Sequence, residues 1–279
     1  MDPKKRECED IAMKLAFMSS VFPKLTLTEL LAVGEKYGYE GVEFRPDWDH
    51  GHGVELSASA EDRKEIVRKL ADSPLEACAL SPGVKFAEPD AAQRDAQLEG
   101  LRQYAQLASD VGIPCIRVFG DPIPNDGHRA ACYQYQAEYL AQAATVAQQA
   151  GVVLVLETHM NFRAFDAGEL LYRTGYPSAL RINWHLEHCL GHGEDVDEAY
   201  RHIKGRVSHA HFSFRDMPGE GKPGGLKPGF QHICRQAELL LGEGYDGYFS
   251  LELIGPEDPQ EVMKTHAEGW AILRQQLGF

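Results

Sequence analysis

Eight short runs of strand-forming residues, each separated by a stretch of helical character, constrain the fold of this chain more than any other feature. The runs are Lys14–Met18, Gly41–Arg45, Leu75–Leu80, Pro114–Phe119, Val152–Glu157, Ala179–His185, Val207–Phe212 and Tyr248–Leu253. They are rich in Val, Ile, Leu and Phe and are bounded by Gly, Pro or Asp. Helix signals fill the gaps. Thr26-Leu27-Thr28-Glu29 has the form of a capping box, Gly38 stands where a helix would stop, and Ser59-Ala60-Glu61-Asp62 opens a charged helix running to Asp72. Residues 90–111 and 129–150 are rich in Ala, Gln and Leu at helical spacing and end at Gly112 and Gly151. Shorter helices fit 166–174 and 195–204, and longer ones fit 229–243 and 258–277. The phrases Gly38-Tyr39-Glu40-Gly41 and Gly244-Tyr245-Asp246-Gly247 mark matching helix-to-strand turns.

Parallel strands need a crossover between them, and eight strand–helix units bring the chain back to its first strand. The expected fold is therefore α/β, a single (β/α)8 TIM barrel. A length of 279 residues suits one such domain over 1–279, with 1–12 a flexible or extra N-terminal segment. An open doubly wound sheet is the alternative, but no Gly-x-Gly-x-x-Gly follows the first strand.

Composition narrows the partners. Lys plus Arg number 28 against 42 Asp plus Glu, a formal charge of −14, which disfavours nucleic acid and anionic lipid surfaces. The longest apolar runs, such as Val152–Leu156, fall far short of the roughly 20 residues of a membrane helix. Residues 1–10 are charged and lack the apolar core of a secretion signal. Six scattered cysteines form no Cys-x-x-Cys and read as reduced thiols, so a cytoplasmic location is expected.

In such a barrel, chemistry gathers at the C-terminal ends of the strands. The fifth run ends in Leu156-Glu157-Thr158-His159 and the sixth in His185-Leu186-Glu187-His188. The seventh carries His209-Ala210-His211, and the eighth carries Glu252. A lone strand-end Glu is usually a salt-bridge partner, and a lone His is usually hydrogen-bonded structure. Here, however, six of the twelve histidines fall between 185 and 211, on strands that are neighbours in space. A glutamate after four aliphatic residues is costly to bury unless paired or bound to a cation. Glu and His together suit a divalent first-row metal.

With these residues in this order, the chain resembles the xylose-isomerase-like sugar isomerases and epimerases over essentially its whole length. The phrase Gly244-Tyr245-Asp246-Gly247-Tyr248-Phe249-Ser250-Leu251-Glu252 adds to the likeness. The resemblance implies one divalent metal ion held by Glu157, His185, His211 and Glu252. It implies that Glu157 and Glu252 also serve as the acid/base pair, with His188 touching substrate beside the metal; His159 is placed on the substrate side with it. The implied reaction is proton transfer through an enediolate on a ketose, sugar acid or related hydroxy-ketone, giving epimerisation or isomerisation. A carbohydrate substrate and a homodimer or homotetramer follow from the same likeness. An inosose- or dehydroshikimate-type dehydratase begins with the same proton abstraction and is the alternative.

Two positions depart from the family. Relatives usually read Asp-x-x-His where this chain has His185-Leu186-Glu187-His188. The histidine removes one negative charge and favours Zn, Co or Mn over Mg; if it has cost the site its metal, the barrel would bind a sugar without catalysis. Arg163 stands where the 3-epimerases tend to carry a substrate-binding carboxylate. The endonuclease branch needs histidines at the ends of strands two to four, and Glu43-Phe44-Arg45, Ala79-Leu80-Ser81 and Val118-Phe119-Gly120 supply none.

Arginines also occur at or after strand ends: Arg45, Arg117, Arg163 and Arg215. Arg45 and Arg117 are expected to pair with a neighbouring carboxylate such as Glu43. Arg163 and Arg215 are expected on overhanging loops, where a guanidinium would suit an acidic group on the substrate. The segment Asp49–His52 reads as a solvated loop, and His192, His202, His232 and His266 as surface residues. Trp184 is expected to face outward beneath a helix.

Overall fold

The computed structural model describes residues 13–214 and 228–279. The expected N-terminal segment 1–12 and the candidate substrate contact Arg215 lie outside the described residues. Eight strands form one closed sheet in chain order: β1 (Lys14–Met18), β2 (Gly41–Phe44), β3 (Glu76–Leu80), β4 (Cys115–Phe119), β5 (Val153–Glu157), β6 (Leu180–His185), β7 (Val207–Phe212) and β8 (Tyr248–Leu251). Every neighbouring pair is parallel, and β8 closes on β1 with Ala16 opposite Ser250. The helices are α1 (Leu27–Lys36), α2 (Ala60–Ala71), α3 (Ala91–Val111), α4 (Arg129–Ala150), α5 (Ala164–Arg173), α6 (Leu186–Gly191), α7 (Val196–Ile203), α8 (Pro228–Leu241) and α9 (Pro259–Leu277). This is the single (β/α)8 barrel that the alternation of runs requires.

Local chemistry starts and stops these elements as the sequence indicates. Thr26 and Glu29 form a reciprocal capping box on α1, and Ser59 and Asp62 form another on α2. Gly112 and Gly151 end α3 and α4 in the left-handed conformation that costs glycine nothing. The short helix α6 was not foreseen. Its first turn follows His185 directly, so the sequence blends strand and helix without a turn signal.

Strand alternation sorts the core into two layers. Leu154, Leu156, Ile182, Trp184, Ala210, Phe249 and Leu251 face outward into the helix-covered layer. Burying each large apolar side chain there stabilises the fold by roughly 1.5–3 kcal/mol. Trp184 stacks on Tyr200 of α7, as expected for an outward residue. The barrel interior is lined by the smaller Ala16, Cys78, Ala79, Cys115 and Val155. Above that layer the inward positions turn polar.

Helices α5 and α7 pack closely because Gly168 lacks a side chain: a Cβ there would lie 2.8 Å from the His202 carbonyl oxygen. In an isolated helix Gly168→Ala would be favourable by about 1 kcal/mol. Here the obstacle is backbone, so the substitution should instead lower stability by about 1–3 kcal/mol in urea unfolding. An unchanged or higher midpoint would mean that α5 and α7 separate freely.

Candidate metal centre

The inward faces of β5, β6, β7 and the end of β8 bring four candidate residues together. Glu157, His185, His211 and Glu252 each offer one donor atom, and these atoms all lie within 4.8 Å of one another. Register explains the meeting, since His185 is paired with His211 across β6 and β7, and Glu252 donates its backbone N–H to Phe212 at the end of β7. His211 Nδ1 lies 3.1 Å from Glu157 Oε1 and 2.9 Å from Glu252 Oε2. His185 Nδ1 lies 3.1 Å and 3.2 Å from the same two oxygens. Two imidazole nitrogens and two carboxylate oxygens thus converge on one point.

Each imidazole is gripped from behind by a second carboxylate. His211 Nε2 lies 2.9 Å from Glu43 Oε1, and His185 Nε2 lies 2.9 Å from Glu187 Oε2. Glu43 is also held by His209 and by the Ser81 hydroxyl, and Glu187 accepts from the Ser213 amide and hydroxyl. Such a partner at Nε2 favours the tautomer whose Nδ1 lone pair faces inward. The backbone of His185 is fixed as well, donating to and accepting from Thr158 Oγ1.

The electrostatics are those of a tightly balanced cluster. Burial opposes charge on both histidines. Hydrogen bonds donated to Glu157, Glu187 and Glu252 nevertheless hold the pKa of His185 well above the usual histidine value. The charges of Glu43, Glu252 and Glu157 do the same for His211. Burial also raises the pKa of Glu157, and Glu252 adds repulsion, but His211 and Arg117 outweigh both and keep the carboxyl well below its usual range. Glu252 is likewise lowered, chiefly by His211 and His185 acting against burial.

Arg117, on β4, was expected to find a carboxylate, and its partner is Glu157 at 2.7 Å with both side chains essentially inaccessible. Arg117→Met would remove the one permanent cation on the buried Glu157 carboxylate, leaving it to the titratable His185 and His211. Breaking a buried pair in this way costs about 3–5 kcal/mol, to be read as a large fall in the unfolding midpoint of metal-free protein. A change below the precision of the measurement would show that the pair contributes nothing to the fold.

The remaining candidates surround this cluster. The His188 ring lies 4.3 Å from that of His185 and 4.7 Å from that of His159. Burial, with the charges of His185 and His159 adding to it, pushes the His188 pKa down to about 4, so its ring is neutral near pH 7. His159 is tethered to Asp121 at 2.8 Å. Arg163 is the N-cap residue of α5, and its Nε lies 3.5 Å from buried Asp166, which also binds Arg129 and Tyr133. Asp166 is fully buried and draws in two arginines and a tyrosine.

Two expectations about histidines are corrected. His266 is buried, not a surface residue; its Nε2 accepts from the Phe214 amide at 2.9 Å and its Nδ1 contacts the Val262 carbonyl. Its spacing from Met263 and Trp270 puts it on the inward face of α9. In the Asp49–His52 loop Asp49 is exposed, but His52 is buried and donates to the Arg45 carbonyl. Glu43 and Glu187 were not singled out as site residues. For Glu43 the signal was present, because a glutamate amid apolar residues on an inward strand position has the same pattern as Glu157.

The donor set fits a divalent cation: two ionised carboxylates and two oriented imidazoles, all anchored from outside. The family model of xylose isomerase-like TIM barrels matches residues 31–275. The chain belongs to that family. No curated protein matches the sequence. Among solved structures, an L-ribulose 3-epimerase is 20% identical, with 95% of this chain and 97% of that one covered and a TM-score of 0.74. A D-psicose 3-epimerase studied in the presence of D-fructose is 15% identical, with coverages of 96% and 100% and a TM-score of 0.75. A probable 3-DHS dehydratase involved in petrobactin synthesis, from Bacillus anthracis, is 19% identical, with coverages of 93% and 99% and a TM-score of 0.69. At these identities the likeness concerns the fold. It joins sugar epimerases and a dehydratase within one architecture.

Proposed function

We propose that this protein is a divalent-metal-dependent epimerase or isomerase that moves a proton at the carbon beside the ketone of a carbohydrate. The observation that carries the reading is the convergence of Glu157 and Glu252 on one point between His185 and His211. Glu157, His185, His211 and Glu252 would hold the ion, which supplies Lewis acidity to a carbonyl and its neighbouring hydroxyl. The epimerases of the same fold support this choice of chemistry.

The two carboxylates are not equivalent. Glu157 is fixed by Arg117 and is fully buried, so it stays ionised and positioned. Glu252 has no arginine partner and its side chain is 12% exposed, so it is the carboxylate that trades protons with solvent. Glu157, ionised, would take the proton from one face, and Glu252, once it has picked up a proton from solvent, would return one to the opposite face; Glu157 then passes its proton to solvent to reset the pair. Return at the same carbon inverts it; return at the next carbon moves the carbonyl. His188, neutral, and His159, tied to Asp121, serve as hydrogen-bonding groups for substrate hydroxyls.

The test is exchange of substrate hydrogen in deuterium oxide, followed by NMR over ketoses, hydroxypyruvate and inososes, beside metal analysis of the same sample. Added Mn²⁺, Co²⁺ or Zn²⁺ should support exchange, and chelation should abolish it. Loss of a β-hydroxyl in the products would identify the dehydratase, which the fold of the Bacillus anthracis enzyme keeps in view. A folded protein that retains no metal after soaking and exchanges nothing would overturn the proposal in favour of a sugar-binding barrel.

A further inference from the structure

Arg45 directly follows β2, two residues beyond Glu43 and therefore on the same inward parity. Its side chain is almost fully buried, yet its Nε has no hydrogen-bond partner, and no carboxylate among the described residues forms an ion pair with it. The expected pairing with Glu43 does not occur, because Glu43 is taken up by His209, His211 and Ser81. Arg117, whose charge acts on Arg45, is by contrast matched by Glu157.

Arg45 is nonetheless held firmly. Its amide donates to Ser19 Oγ at 2.9 Å, its carbonyl accepts from His52, and its guanidinium lies 3.8 Å from the centre of the half-exposed Trp48 ring. Burial lowers its pKa and Arg117 adds to that, while Glu252, Glu157 and Glu43 oppose it, which places the charge in the field of the metal cluster. A buried, oriented cation without a counter-ion is costly to the fold. It makes sense where a ligand completes the pair.

We infer that Arg45 receives the carboxylate of the substrate, which makes the substrate a keto sugar acid and not a neutral ketose. The inference rests on the proton-transfer reading of the adjoining cluster. One planar guanidinium, held over a ring and with its Nε–H unpartnered, matches a carboxylate in charge and, by the geometry of its fork, in shape. A phosphate dianion shares the chemistry but needs more donors than this single fork. Trp48 and Ser19 thus become positioning residues for the arginine.

Three probes separate the cases: D-fructuronate, D-fructose and D-fructose 6-phosphate, the first two differing only at the terminal carbon. Binding is measured by calorimetry on Mn²⁺-supplemented and on EDTA-treated protein, with deuterium exchange followed in parallel. The wild-type chain should bind fructuronate about ten- to hundredfold more tightly than fructose, the range expected for a hydrogen-bonded charge. Arg45→Gln should remove that preference, and Arg45→Lys, which keeps the charge but not the fork, should restore part of it. Unfolding curves establish that both variants are folded, and Arg45→Lys carries the test if the glutamine variant is not. Fructuronate binding no better than fructose, equal losses for both probes, or a preference for the phosphate ester would overturn the assignment. Failure of the proton-transfer reading has a different signature: the affinity pattern stands, but no probe exchanges hydrogen.

Discussion

Glu157→Gln and Glu252→Gln are each expected to slow hydrogen exchange at the reacting carbon by about 10²- to 10⁴-fold, the usual contribution of a positioned acid or base. Glutamine keeps the shape of each side chain but can neither take nor release the proton. The two variants should differ in kind. Loss of the Glu157 charge also leaves Arg117, buried beside it, without its counter-ion, so Glu157→Gln should destabilise the protein as well. Glu252 lacks an arginine but pairs with His185 and His211, so in metal-free protein its variant should be destabilised too, through the two histidines and not through Arg117. Metal content must be read beside the rate, because either change removes one anionic donor. Exchange by both variants at wild-type rates with metal retained would show that the proton passes through other groups.

The fold was legible because the two periodicities of the chain are clean. Inward and outward residues alternate along most of the strands, with irregularities where β2 meets β3 and β6 meets β7, and the capping signals stand at the starts and stops of the helices. The observed strands fall within the expected runs, which are one or two residues longer where a turn residue such as Pro114 or Val152 was counted in. What failed to show was local chemistry without a pattern of its own. The helix α6 begins where the strand stops, and the sequence offers no Gly, Pro or cap between His185 and Leu186.

The four-residue cluster was legible from order along the chain, since successive strands of a closed parallel barrel must be neighbours. Arginine pairing was not, because it depends on which carboxylate is already occupied. Glu43 lies close in sequence to Arg45, yet two histidines from β7, far along the chain, take it instead. Arg163 is drawn to Asp166 because that carboxylate is fully buried and binds three partners at once. Competition of this kind is a property of the assembled site, and no single segment encodes it.

Metal affinity should rise steeply with pH, and the sign follows from the protonation of the two histidines. Without metal, His185 and His211 are held in their charged form by Glu157, Glu187, Glu252 and Glu43, their pKa values standing well above the ordinary histidine value. Metal binding needs both as neutral donors, so it displaces up to two protons below those pKa values. Glu43, Glu157 and Glu252 have lowered pKa values, stay ionised across neutral pH and add no slope of their own. The dissociation constant should therefore fall by up to about tenfold per proton per pH unit, about a hundredfold for two, between about pH 6 and pH 8. Metal-free protein should respond in the opposite sense. A raised histidine pKa stabilises the fold fully below the ordinary histidine value, and that stability is lost as pH rises through the folded-state value. The gap in unfolding temperature between Mn²⁺-loaded and EDTA-treated protein should accordingly widen with pH. Chelator competition at several pH values measures the slope directly, and calorimetry in buffers of different ionisation enthalpy counts the released protons. A dissociation constant independent of pH, with no proton release, would mean that the two imidazoles do not bind the ion.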